Sequence, residues 1–202
     1  MTKIKLCGLT RPEDVAAANA LVPDFVGFVF APKSRRCVTA EQAQALRKLL
    51  SSSIQAVGVF MDEKPEEVAA LLEAGIIDLA QLHGREDEDY LERLRALTGK
   101  PIIQAFQIKT PEDLERAERS SADYILLDSG AGTGTMFDWT LLRNLRRPYL
   151  LAGGLGPDNV AQAIRFLRPW GVDVSSGIET GGVKDFDKMA AFVAAVRKEE
   201  KV

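Results

Sequence analysis

The chain has 202 residues, a formal net charge of −3 and a hydrophobic content of 46%, which suits one globular domain with a sizeable core. Acidic and basic side chains are mixed along it, which argues against nucleic acid or an anionic membrane as the main partner. Cys7 and Cys37 are the two cysteines and have no paired spacing, so a disulfide framework is not expected. With no apolar leader and no run of membrane-spanning length, the expected location is the cytoplasm.

The first β-type run, residues 3–7, ends at Cys7 and Gly8, and Thr10-Arg11-Pro12-Glu13 reads as a capping box. A second strand over 25–30 leads into the basic stretch 31–37. A second capping box, Thr39-Ala40-Glu41-Gln42, opens a helix whose Ala43, Leu46, Leu49 and Leu50 share a face. Strand three covers 54–60, and the helix carrying Val68, Leu71 and Leu72 stops at Gly75. Strand four covers 78–82, and the helix carrying Leu91, Leu94 and Leu97 stops at Gly99. Strand five covers 102–106, with Thr110-Pro111 at the next helix start. Strand six covers 124–127 and runs into Asp128 and an irregular glycine- and threonine-rich stretch. Strand seven covers 149–152, with Pro157 early in its helix, and strand eight covers 171–175. Several strands are continuous apolar runs, as strands buried on both faces are. Eight strands and about eight helices predict a single-domain α/β fold over residues 1–202, a compact (β/α)8 TIM barrel.

In such a barrel every strand end opens onto one face, and the chemistry belongs there. Cys7 ends strand one where helix N-termini favour a thiolate, which can act as nucleophile or general base. Asp128 ends strand six after four apolar residues, and a dry pocket suits such a carboxyl to donate a proton. Gly153 and Gly154 after strand seven, with Ser176 and Gly177 after strand eight, offer bare backbone N–H groups to a phosphate. Arg36 can grip a carboxylate with two parallel hydrogen bonds. Lys33 and Arg35 read as solvated loop charges, and Cys37 as structural. Gln81 and His83 close strand four. His83 is the single histidine and reads as a wall that positions substrate. It cannot build a multi-histidine centre, so no metal is expected. The run Gly130-Ala131-Gly132-Thr133-Gly134 fits neither GxGxxG nor a P-loop, so it reads as a loop closing over substrate. Trp139 is its packing anchor.

Taken together, these segments resemble the phosphoribosylanthranilate isomerases of tryptophan biosynthesis. The likeness runs through Lys5-Leu6-Cys7-Gly8-Leu9-Thr10, through Ser34, Arg36 and Val38, through Gly58-Val59-Phe60 and through Gln81-Leu82-His83-Gly84. It continues in Leu127-Asp128-Ser129, in Phe137-Asp138-Trp139, in Ala152-Gly153-Gly154-Leu155 and in residues 172–179. The resemblance implies a cofactor-independent Amadori rearrangement with Cys7 as general base and Asp128 as general acid. It places Arg36 on the anthranilate carboxylate, Gly154, Ser176 and Gly177 near the phosphate, and Asp173 in shaping the site. The implied partner is a small phosphorylated substrate, with no nucleic acid, membrane or obligatory protein partner. Thr135-Met136 depart from a basic step common in that family's loop, and Arg35 stands where proline is common. The rivals are an indole-glycerol-phosphate or thiamine-phosphate synthase type of barrel and a non-catalytic phosphate-binding domain. Of the first kind, the indole-glycerol-phosphate chemistry needs a lysine acid at a strand end, and none is well placed, while diphosphate–metal chemistry needs acidic ligands close together at the mouth. The second has no use for a thiol opposite a carboxylic acid.

Overall fold

Eight parallel strands close into a barrel in which each is hydrogen-bonded to the next and the eighth returns to the first. The strands are β1 (Lys3–Cys7), β2 (Phe25–Val29), β3 (Gln55–Phe60), β4 (Leu79–Leu82), β5 (Ile102–Gln107), β6 (Tyr124–Asp128), β7 (Tyr149–Ala152) and β8 (Gly171–Val174). The helices are α1 (Pro12–Leu21), α2 (Ala40–Leu49), α3 (Pro65–Glu73), α4 (Glu88–Leu97), α5 (Pro111–Arg119), α6 (Val160–Leu167) and α7 (Phe186–Glu199). The computed structural model describes residues 1–128, 142 and 145–199. The glycine run 130–134, Thr135-Met136 and Trp139 lie outside the described residues.

The strand side chains alternate in and out, and this divides the core. Outward residues such as Leu6, Phe28, Ala56 and Leu127 pack with the helices into one large cluster. Inward residues form layers. The lowest layer is apolar: Phe25, Val57, Leu79, Ile103, Leu126 and Leu150, closed by Tyr124 and Trp170. Two residues further along, the interior turns polar with Lys5, Gln81 and Asp173, all buried. Cys7, Val29 and Val59 pack above them towards the mouth.

Several helix boundaries differ from the sequence expectation. The first cap is not a Thr10–Glu13 box. Asp14 takes the N–H groups of Thr10 and Arg11 at 2.9 and 3.0 Å and is itself buried, so it satisfies two orphan donors. At Thr39 the expected box is present, with Gln42 N–H donating to Thr39 Oγ1 and Gln42 Oε1 accepting from Thr39 N–H. Gly75 ends α3 with φ of +67°, whereas α4 is capped by Thr98. Pro157 precedes α6 instead of opening it, because Asn159 bonds back to Gly154 O and Gly156 N–H. A short 3-10 turn (Ser176–Ile178) and a hairpin of β9 (Glu179–Thr180) with β10 (Val183–Lys184) come between β8 and α7. The sequence pattern did not predict this insertion. No helix among the described residues is long and apolar enough to cross a membrane.

Candidate active site

The C-terminal strand ends enclose a cavity of about 400 Å³ lined by Cys7, Gln81, His83, Asp128, Asp173, Gly153, Gly154 and Ser176, among others. Eight of the ten expected site residues therefore meet in one place, contributed by β1, β4, β6, β7 and β8. The other two stand just behind it. Gly177 sits under the wall, packed so closely on Leu155 and Gly156 that a Cβ would collide with their backbone. Arg36 crosses over Gly8, where an added Cβ would strike its side chain.

Cys7 occupies a tight berth. It pairs in register with Gly27 of β2, and a Cβ at Gly27 would come within 2.7 Å of Sγ. Burial pushes the Cys7 thiol up; the Lys5 and Lys184 ammonium groups pull it down, and the Asp173 carboxylate adds to the rise. On the other side, Gln81 Nε2 lies 3.0 Å from His83 Nδ1, and His83 Nε2 lies 3.4 Å from Asp128 Oδ2. With the Gln81 amide donating to Nδ1, the ring proton sits on Nε2 and faces the Asp128 carboxylate. His83 thus stands between Gln81 and Asp128 on the cavity wall. Gln81 Oε1 is buried and has no partner among the described residues.

Glycine-bearing loops after β7 and β8 border the cavity. Gly153 and Gly154 have φ of +91° and +64°, a conformation that turns successive N–H groups to one side and that other residues resist. Asn159 fastens this loop from behind. Ser175 Oγ donates to Cys7 O at 3.1 Å and so ties the end of β8 to the end of β1.

Three residues that the sequence reading passed over complete the site. Lys5 is fully buried, with Nζ 2.8 Å from Asp173 Oδ1. It lies one inward position below Cys7, beneath the mouth rather than at a strand end. Its signal in the sequence is the alternation Lys3, Lys5, Cys7, which puts lysine and cysteine on one face. Glu179 gathers four hydrogen bonds: Arg36 Nε at 2.6 Å, Arg36 Nη2 at 2.9 Å, Arg35 Nη2 at 2.6 Å and Lys184 Nζ at 2.7 Å. Burial pushes the Glu179 carboxyl up, but Arg36 and Lys184 hold it down at about 2. Arg35 is exposed, as expected of a solvated charge, yet it also pairs with Glu179, and Arg36 has one edge of its guanidinium already held. Lys184, the third, also donates to Ser175 O at 2.9 Å. Glu179 stands 143 residues from Arg36, and no local pattern joins them. Cys37 is exposed. Among the described residues no group of three or more His, Cys, Asp or Glu side chains is placed to hold a metal ion.

The family profile described as N-(5'phosphoribosyl)anthranilate (PRA) isomerase matches residues 4–195. The N-(5'-phosphoribosyl)anthranilate isomerase of Endomicrobium trichonymphae is 44% identical over 202 residues, covering 98% of this chain and 99% of that one. The crystal structure of the Thermotoga maritima phosphoribosyl anthranilate isomerase superposes with a TM-score of 0.89 at 35% identity, over 98% of this chain and all of that one. A phosphoribosyl anthranilate isomerase bound to reduced 1-(o-carboxyphenylamino)-1-deoxyribulose 5-phosphate superposes with a TM-score of 0.88 at 35% identity, with the same coverage.

Proposed function

The chain belongs to the N-(5'-phosphoribosyl)anthranilate isomerase family, and from that premise we propose how its residues divide the chemistry. The enzyme catalyses the Amadori rearrangement of N-(5-phosphoribosyl)anthranilate to 1-(2-carboxyphenylamino)-1-deoxyribulose 5-phosphate. Asp128 is the general acid. It protonates the furanose ring oxygen, and the C1–O bond breaks to leave an iminium. Cys7, as thiolate, is the general base. It takes the proton from C2, and the C–H electrons form the C1–C2 double bond of an enolamine, which tautomerises to the ketone. The reaction needs a proton delivered at one end and removed at the other, so acid and base belong on opposite walls.

The observation that carries this reading is that Cys7 and Asp128 line one cavity, reached from β1 and β6, beside two glycine loops. Gly153, Gly154, Ser176 and Gly177 take the phosphate. Arg36 takes the anthranilate carboxylate with the edge that Glu179 leaves open. Gln81, His83 and Asp173 position the sugar and the two reacting groups. Neither a synthase of the same barrel type nor a simple binding domain accounts for a thiol placed against a carboxyl in this way.

The test is turnover of freshly made phosphoribosylanthranilate, followed by loss of its fluorescence. Cys7→Ala and Asp128→Ala are each expected to lower kcat by about 10²- to 10⁴-fold while circular dichroism is unchanged. Wild-type turnover in either variant would remove that residue from its role.

A further inference from the structure

A thiolate base raises a difficulty that the polar middle layer answers. Cys7 is 7% exposed, and burial of this kind favours the neutral thiol. We propose that Lys5 is a positioning residue for the base: its ammonium, held from below by Asp173, stabilises the Cys7 thiolate. The proposal rests on the reading of Cys7 as general base.

The arrangement follows from strand geometry. Lys5 and Cys7 are two residues apart on β1, so both point into the barrel. On the neighbouring strand Asp173 stands in register with Lys5, and the 2.8 Å bond from Nζ to Oδ1 fixes the ammonium below the thiol. From there its positive charge favours the charged form of Cys7. Gly27 leaves the berth into which Sγ fits. A buried ion pair is a poor way to fill a barrel, since the desolvation of each ion costs on the order of several kcal/mol. The layer below fills the same cross-section with leucine, isoleucine and valine. Placed next to a thiol, the pair has a use that an apolar filling lacks.

The other charges facing Cys7 do not replace Lys5. Lys184 and Arg36 approach from the hairpin and from the loop after β2, but both are tied to the Glu179 carboxylate. Asp128 and His83 face the thiol from β6 and β4 across the cavity. Asp173 opposes the thiolate, yet Lys5 acts on the thiol more strongly than Asp173 does. Burial works against the Lys5 ammonium, while the Asp173 carboxylate and the Cys7 thiolate each favour it, so Lys5 keeps a partner for its charge when Asp173 is replaced.

The two members of the pair therefore push the thiol in opposite directions, and the test uses that. In a Cys37→Ala background only the Cys7 thiol remains, and it is titrated by thiolate ultraviolet absorbance and by the pH dependence of iodoacetamide alkylation. Lys5→Met is expected to raise the titration midpoint by about one unit or more, and Asp173→Asn to lower it. The ascending limb of kcat against pH should move with the midpoint in each variant. Loss of packing would move both variants the same way. If Lys5→Met does not fold, Lys5→Met combined with Asp173→Leu removes both charges and is still expected to raise the midpoint. A midpoint that stays put, or that shifts in the same direction in both single variants, overturns the proposal. A midpoint that rises while the kcat profile stays fixed leaves Lys5's hold on the thiolate intact and overturns the role of Cys7 as base.

Discussion

At Cys7 the available space is as restrictive as the charge. Sγ fills the gap above Gly27, and any Cβ there would come within 2.7 Å of it. Gly27→Ala is therefore expected to push the thiol out of line and to lower kcat by about 10- to 100-fold with little change in KM, because small errors in reacting geometry are costly. Steady-state kinetics on the variant decide this, and an unchanged kcat would show that the berth is not needed. Cys7, Asp128, His83 and the glycines were legible in the sequence because each follows directly on an apolar run. Lys5 was not, although the clue was local. A lysine within a strand is ordinarily read as solvent-facing, and only the alternation with Cys7 turns it inward. Arg36 stood out in the sequence as a group suited to a carboxylate, but its engagement with Glu179 did not, since that contact depends on the closed barrel bringing residues 143 apart together.

Among the elements, the hairpin after β8 ties down the arginines of the loop after β2. Glu179 anchors Arg35, Arg36 and Lys184 at once, so the loop after β2 is tied to the hairpin after β8. Its carboxyl sits at about 2, well below the ordinary glutamate value of 4.5. A depressed acid contributes stability above its unfolded value and loses it as pH falls through the folded one. The contribution is thus present above about pH 4.5 and disappears between there and about pH 2. Glu179→Gln is expected to melt lower at neutral pH and to show a flatter acid limb in thermal denaturation, and a limb as steep as wild type would contradict this. Arg36→Ala should raise KM by about 10-fold or more with a smaller effect on kcat, the pattern of lost binding. An unchanged KM would take the carboxylate away from Arg36. The strands were readable because burial on both faces makes them continuous apolar runs. Helix starts were less so. Several polar residues near each start compete to cap it, and Asp14 and Asn159 won over the Thr10–Glu13 box and Pro157 through bonds that a spacing rule does not rank.

Across the whole molecule, the barrel separates stability from chemistry by depth. The lowest interior layer is apolar, the middle one carries a buried ion pair, and the mouth carries the thiol, the imidazole and the carboxyl. The closed order β1 to β8 sets β1 and β6 on different sides of the cavity, which is how residues 121 positions apart in sequence come to line it together. Eight strands in sequence were enough to predict closure. The depth ordering needed the register, because Lys5 meets Asp173 only when β8 closes on β1. The account turns on Cys7 and Asp128 acting as one acid–base unit, and a double-variant cycle in kcat tests that most directly. Cys7→Ala, Asp128→Ala and the combined variant should all turn over far below wild type, with the combined loss close to the larger single loss and far short of the product of the two. Losses that multiply in full, or a single variant that keeps wild-type turnover, would contradict it.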